Sequence, residues 1–172
     1  MRLKPEQIAA ALQKGLEPVY FISGDEPLQL GETADAIRAA ARSLGYDLRE
    51  VLVADAGFSW NELTQAAGSL SIFADKKIID LRLPTGTPGA EGAKALIAYC
   101  ERMPEDTLLL ITAAKMASSS LKTQWFQALD KVGCVIQVWP LEGQDLMRWL
   151  QQRMQRRGLL AHRLRRWRVR VR

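Results

Sequence analysis

An apolar stretch, Pro18-Val19-Tyr20-Phe21-Ile22-Ser23, runs into Gly24-Asp25-Glu26-Pro27-Leu28-Gln29-Leu30 and then into a helical pattern. A phosphate loop would sit at such a place. Its chemistry needs a second glycine and a lysine at positions 29 and 30, followed by Ser or Thr, so that backbone N–H groups and an ammonium cradle the phosphates. Those positions hold Gln29 and Leu30, and Asp25 and Glu26 would repel phosphate. The apolar run Leu108–Thr112 also lacks the acidic pair that would hold magnesium and orient water. The location suits a nucleotide, the residues do not, and no cofactor is expected.

Other reactive sets fail by inventory. Asp25, Glu26, Asp55, Thr112 and Lys115 are the residue types of a phospho-acceptor site. Asp55, however, follows the second predicted strand where the third is required, and Thr112 and Lys115 share one strand end. Strand-end acids in such folds are more often turn and cap residues. The only histidine is His162, near the C-terminus, which leaves no imidazole base in the body of the chain. Cys100 and Cys134 stand far apart with no second ligand type nearby, so no metal site is expected. They read as small apolar side chains of a reducing cytoplasm. Trp60, Trp125-Phe126 and Trp139 fall at helix starts, along apolar faces or at a strand end, and read as core or corner residues.

A binding chemistry is better represented. Leu63, Ala66, Ala67 and Leu70 form one buried stripe on a predicted helix over 61–70. At about 100° per residue, Ile72 lies roughly opposite Leu63 and Phe73 on the flank of the stripe. Leu70-Ser71-Ile72-Phe73-Ala74 therefore places two large apolar side chains where the helix does not ask to bury them, as a plug for another protein's pocket would. The competing reading is that the last turn loosens and both tuck under the following loop.

The elements that position these residues alternate regularly. Helices are expected over 5–16, 28–44, 61–70, 91–102, 120–129 and 144–157. Strands are expected over 18–23, 48–54, 78–83, 107–112 and 134–139. Gly45 and Gly158 stand as helix C-caps, and Pro84 with Thr85-Gly86-Thr87-Pro88-Gly89 as a turn. Five short, nearly continuous apolar strands separated by helices predict an α/β fold, a five-stranded parallel sheet with helices on both faces. Pro140-Leu141-Glu142-Gly143 marks a boundary, with residues 1–140 as one domain and 141–161 as the start of a helical one.

With 172 residues, 48% hydrophobic and 25% charged, the chain has the composition of a soluble globular protein. No apolar run is long enough to cross a bilayer, and Met1–Glu6 lacks a signal-peptide apolar region, so a cytoplasmic protein is expected. The net charge of +5 is misleading, because Arg163–Arg172 contains six arginines and no acid. The remaining 18 basic and 19 acidic residues give 1–162 a charge of −1, no field for nucleic acid. The end of the tail, Arg166–Arg172, alternates strictly. Residues 162–172 are expected to be a non-native or disordered end; the alternative is a nucleic-acid-binding arm.

A series of motifs runs along the chain: Arg2-Leu3-x-Pro5-Glu6-Gln7, Gly24-Asp25-Glu26-Pro27-Leu28, Trp60-Asn61 and Ser71-Ile72-Phe73-Ala74. Leu83-Pro84, Trp125-Phe126-x-Ala128-Leu129 and Leu146-x-Arg148-Trp149 continue the series, which covers roughly residues 1–160. In this order and spacing they resemble the delta-subunit family of bacterial DNA polymerase III, the clamp-loader subunit that opens the sliding clamp. The resemblance implies an ATPase-like domain of the AAA+ type, related to P-loop NTPases, that has lost its nucleotide site, followed by the start of a small helical lid.

It further implies a clamp-binding pair, usually Leu-Phe in the family, at Ile72 and Phe73 with Leu70 and Ser71 beside them. The implied partners are the sliding clamp (beta subunit) and the other loader subunits (gamma/tau and delta prime), with DNA engaged only indirectly. ATP would act from those other subunits, and this chain would catalyse nothing itself. Family members are longer, with a lid and a collar domain. A chain that stops early in the lid is expected to keep clamp binding and to fail in loader assembly.

Overall fold

The computed structural model describes residues 1–69, 75–156 and 158. The chain divides into two units, Met1–Trp139 and Pro140–Arg172. The first is built on a parallel sheet of strands β1 (Arg2–Leu3), β2 (Val19–Gly24), β3 (Leu48–Val53), β4 (Lys77–Leu83), β5 (Thr107–Ala113) and β6 (Cys134–Val138). They lie in the order β1-β6-β2-β5-β4-β3. The helices are α1 (Ile8–Leu12), α2 (Pro27–Ser43), α3 (Asn61–Gly68), α4 (Gly89–Glu101) and α5 (Gln124–Val132), with α6 (Gly143–Arg156) in the second unit.

Among the described residues the sheet has six strands where the sequence predicts five. The added strand, β1, is two residues long, too short to show a period. It pairs Arg2 with Val135 and Leu3 with Ile136. Its anchors are the chain's own start: the Met1 ammonium donates to Gly133 O at 2.6 Å, and the Arg2 guanidinium forks onto the Asp130 carboxylate at 2.8–3.2 Å.

Both faces of the central strands are dry, while the edge strand β3 leaves Leu48, Val51 and Val53 exposed. On one, Phe21, Ile79, Leu81, Leu109 and Ile111 meet Leu63 and Ala66 of α3, Leu96 and Tyr99 of α4, and Trp125, Phe126 and Leu129 of α5. On the other, Tyr20, Ile22, Ile78, Leu108 and Leu110 meet Ile8 of α1 and Ala34, Ile37 and Ala41 of α2. A strand buried on both faces has no polar side to alternate, which explains the continuous apolar runs.

Helix ends depart from the expected spans for local reasons. The first helix is a 3-10 turn, Pro5–Gln7, followed by α1, which stops at Leu12. The helix expected over 120–129 is a 3-10 turn, Ser118–Lys122, and then α5. Extended Thr123 separates them, its hydroxyl donating to Ser120 O at 2.6 Å. Trp125 and Phe126 are buried as expected, each ring edge-on to Phe21 at 5.8 Å, whereas Trp139 is 55% exposed. Cys100 and Cys134 are free thiols that burial pushes up to about 11, so both are protonated at neutral pH. Among the described residues no helix is long and apolar enough to cross a membrane. The basic tail lies outside them.

Candidate functional site

The proposed apolar pair sits in the connection from α3 to β4, and Leu70, Ser71, Ile72 and Phe73 all lie outside the described residues. What holds that connection is described on both sides. Upstream, Phe58 and Trp60 meet edge to face at 5.3 Å. The Trp60 ring fills the space over Gly92 of α4, where any Cβ would come within 2.2 Å of it. That contact and the burial of Leu63 and Ala66 seat α3 on the sheet. The helix ends at Gly68, two residues before the predicted Leu70, because Ser69 is extended (φ −77°, ψ 118°). The helical phase drawn from Leu63 to Ile72 cannot be carried past that residue.

Downstream, Lys77 opens β4, paired with Leu48 on one side and Thr107 on the other. It is 6% exposed. Its ammonium turns back to α3 and donates to Ala66 O, to Ser69 O at 2.7 Å and to Ser69 Oγ at 2.9 Å. A helix C-terminus presents unpaired carbonyls and partial negative charge, which a cation satisfies. The connection thus leaves α3 and re-enters the sheet at one spot. Its returning limb has a second tie: the Lys76 ammonium donates to Leu44 O at 3.3 Å and lies 5.4 Å from the Tyr46 ring centroid. Sequence reasoning missed Lys77, whose only signal is a cation opening an otherwise apolar strand.

The opposite rim, where the strands end, is the other candidate. There Asp25 and Lys115 meet at 2.9 Å, and Lys115 also lies 5.7 Å from the Trp139 ring. The Lys115 hydrogen bond holds the Asp25 carboxyl below its usual range, so the loop after β2 is anionic. β2 and β6 approach so closely that a Cβ on Gly24 would fall 2.4 Å from Val138 O. The crevice lined by Ser23, Gly24, Lys115, Met116, Gln137 and Trp139 measures about 10 Å³, room for one water. Gln29, at the position of a loop glycine, is buried with its amide 3.5 Å from Trp139 O. A phosphate would meet a carboxylate and a crevice with room for no more than one water.

Of the phospho-acceptor set, the structure joins only Asp25 and Lys115. Asp55 follows β3, separated from β2 by β5 and β4, roughly 14 Å across the sheet. Sequence reasoning also missed Asp80, fully buried in β4, where Arg38 Nε (2.9 Å) and Arg49 Nη2 (2.6 Å) converge on Oδ2. A carboxylate inside the run Ile78-Ile79-Asp80-Leu81 was the available signal, since a buried charge demands a partner.

Comparison with known proteins follows the fold. The family described as DNA polymerase III, delta subunit matches residues 20–138. DNA polymerase III subunit delta of Escherichia coli (strain K12) is 29% identical over 159 residues, which is 92% of this chain and 46% of that protein. The Haemophilus influenzae subunit delta is 31% identical over 163 residues, 93% of this chain and 47% of that one. The chain thus spans about half the length of these relatives.

Among solved structures, the Bacillus subtilis DNA clamp loader delta protein superposes with a TM-score of 0.69 at 17% identity, covering 89% of this chain and 48% of the other. A DNA polymerase III gamma subunit-related protein of Thermotoga maritima superposes with a TM-score of 0.50 at 13% identity, over 90% and 54%. At such identities these two speak for the fold.

Proposed function

The chain belongs to the DNA polymerase III delta-subunit family, and from that premise we propose that it binds the sliding clamp of its replication machinery and helps to open it, hydrolysing no ATP itself. The observation that carries this reading is the family match across 20–138, which spans Leu70, Ser71, Ile72 and Phe73. Phe73 and Ile72 enter an apolar pocket on the clamp, each burial contributing about 2–3 kcal/mol. Ile in place of the more usual Leu keeps the volume and moves the branch, a modest change. Such a contact opens a ring only if the open form offers better contacts than the closed one.

The other loader subunits, gamma/tau and delta prime, supply the ATP-driven steps. The anionic loop at Asp25 and the crevice beside Lys115 support a domain of ATPase type without a working nucleotide site. α6, an amphipathic helix with Asp145 and Arg148 paired at 3.2 Å, begins the lid.

The test is calorimetric binding of this chain to the cognate sliding clamp, alongside Ile72→Ala with Phe73→Ala. Binding by the parent and its loss in the double variant support the reading. A folded parent that does not bind overturns it, and DNA affinity that vanishes on deleting 163–172 would assign the function to the basic tail instead.

A further inference from the structure

We infer that Lys77 is a positioning residue for clamp binding, a buried ammonium that clasps the base of the α3–β4 connection; this rests on the reading of Ile72 and Phe73 given above. Burying a lysine is costly unless its charge is matched. Here the match is three oxygens of one neighbouring turn, Ala66 O, Ser69 O and Ser69 Oγ. Those three acceptors belong to the last residues of α3 and to the residue that starts the connection. The donor is the residue that ends it.

The backbone of Lys77 has no freedom to follow a moving helix end. Its N–H donates to Asp106 O at 2.9 Å, and strands pair on both sides of it. The ammonium therefore fixes Ser69 relative to β4. A salt bridge at that place would need a carboxylate, whereas carbonyl acceptors leave the polar groups of the clasp satisfied with no second charge. Fixing both ends of a short connection reduces the conformations open to what lies between them. A binding element that spends less time in unproductive arrangements shows a higher apparent affinity by that fraction, with no new contact to its partner.

The clasp is tested in the full chain with Lys77→Met, which keeps the stem and removes the charge, and with Lys77→Arg, which keeps a donor. Two readings are taken: affinity for the cognate clamp, and amide hydrogen exchange along the chain. The expected result is about tenfold weaker clamp binding in Lys77→Met, with an intermediate value in Lys77→Arg. Exchange should accelerate at Ser69 and in residues 75–77 while β2, β5 and β6 keep their protection. In the background of Ile72→Ala alone, Lys77→Met should cost less affinity than it does in the parent, a non-additivity that general destabilisation would not produce.

Should Lys77→Met not fold, Ser69→Ala removes one acceptor and is expected to weaken binding about twofold. A parent that binds, with Lys77→Met or its substitute Ser69→Ala at parental affinity and exchange, overturns this inference and leaves the clamp reading standing. A parent that does not bind overturns both.

Discussion

The two rims of the sheet teach opposite lessons. At the rim where strands end, the residues that α/β folds ordinarily use for ligands are spent on one another: Asp25 on Lys115, Lys115 also on Trp139, and Gly24 on close approach to Val138. At the rim where strands begin, a buried cation is spent on holding a helix end, Lys77 on Ala66 and Ser69. The first rim keeps the shape of a reactive site without its chemistry. The second, among the described residues, ties the end of α3 to the start of β4.

The largest effect should separate the rims outright. Ile72→Ala with Phe73→Ala is expected to lower clamp affinity by at least about a hundredfold, while Asp25→Ala leaves it unchanged in the same titration. Loss of clamp binding in Asp25→Ala would break the comparison. Next comes Gly24→Val, which forces side-chain atoms into Val138. It should cost about 3 kcal/mol in urea unfolding, showing that the strand-end rim now serves packing.

Asp80→Ala removes the carboxylate shared by Arg38 and Arg49 and should cost about 2 kcal/mol. Part of the usual penalty is spared, because Arg49 reaches solvent. Unfolding midpoints at fixed slope would measure it.

The smallest effect is titration of Asp25. Its carboxyl in the folded state lies below the ordinary 3.8 because Lys115 hydrogen-bonds the charged form. The contribution is present above the ordinary value and is lost as pH falls through the lowered one. Asp25→Asn should therefore flatten the acid limb of stability only slightly, as pH falls below the ordinary 3.8. A large change there would mean that the pair carries more than a surface contact.

Much of the fold was legible because it is local. The runs Val19-Tyr20-Phe21-Ile22 and Leu108-Leu109-Leu110-Ile111 announce doubly buried strands wherever they sit. β1 was illegible because two residues have no period, and the helix break at Thr123 because a cap hydrogen bond decided it. At the candidate site the pair Ile72 and Phe73 is proposed from residue type and resemblance. Their support was not legible, since Lys77 and Ser69 are ordinary residues until the chain brings them together.

The sequence by itself determined the alternation of strands and helices and the burial of both sheet faces, because periodicity and hydrophobicity act over a few neighbouring residues. It also determined that no complete phosphate loop exists, since that requires particular residues at fixed spacing. Only the tertiary structure decided the strand order β1-β6-β2-β5-β4-β3 and the partners of Asp80 and Lys77. Those depend on contacts between residues distant in the chain, where the cost of burying a charge is met by whatever group the fold places beside it.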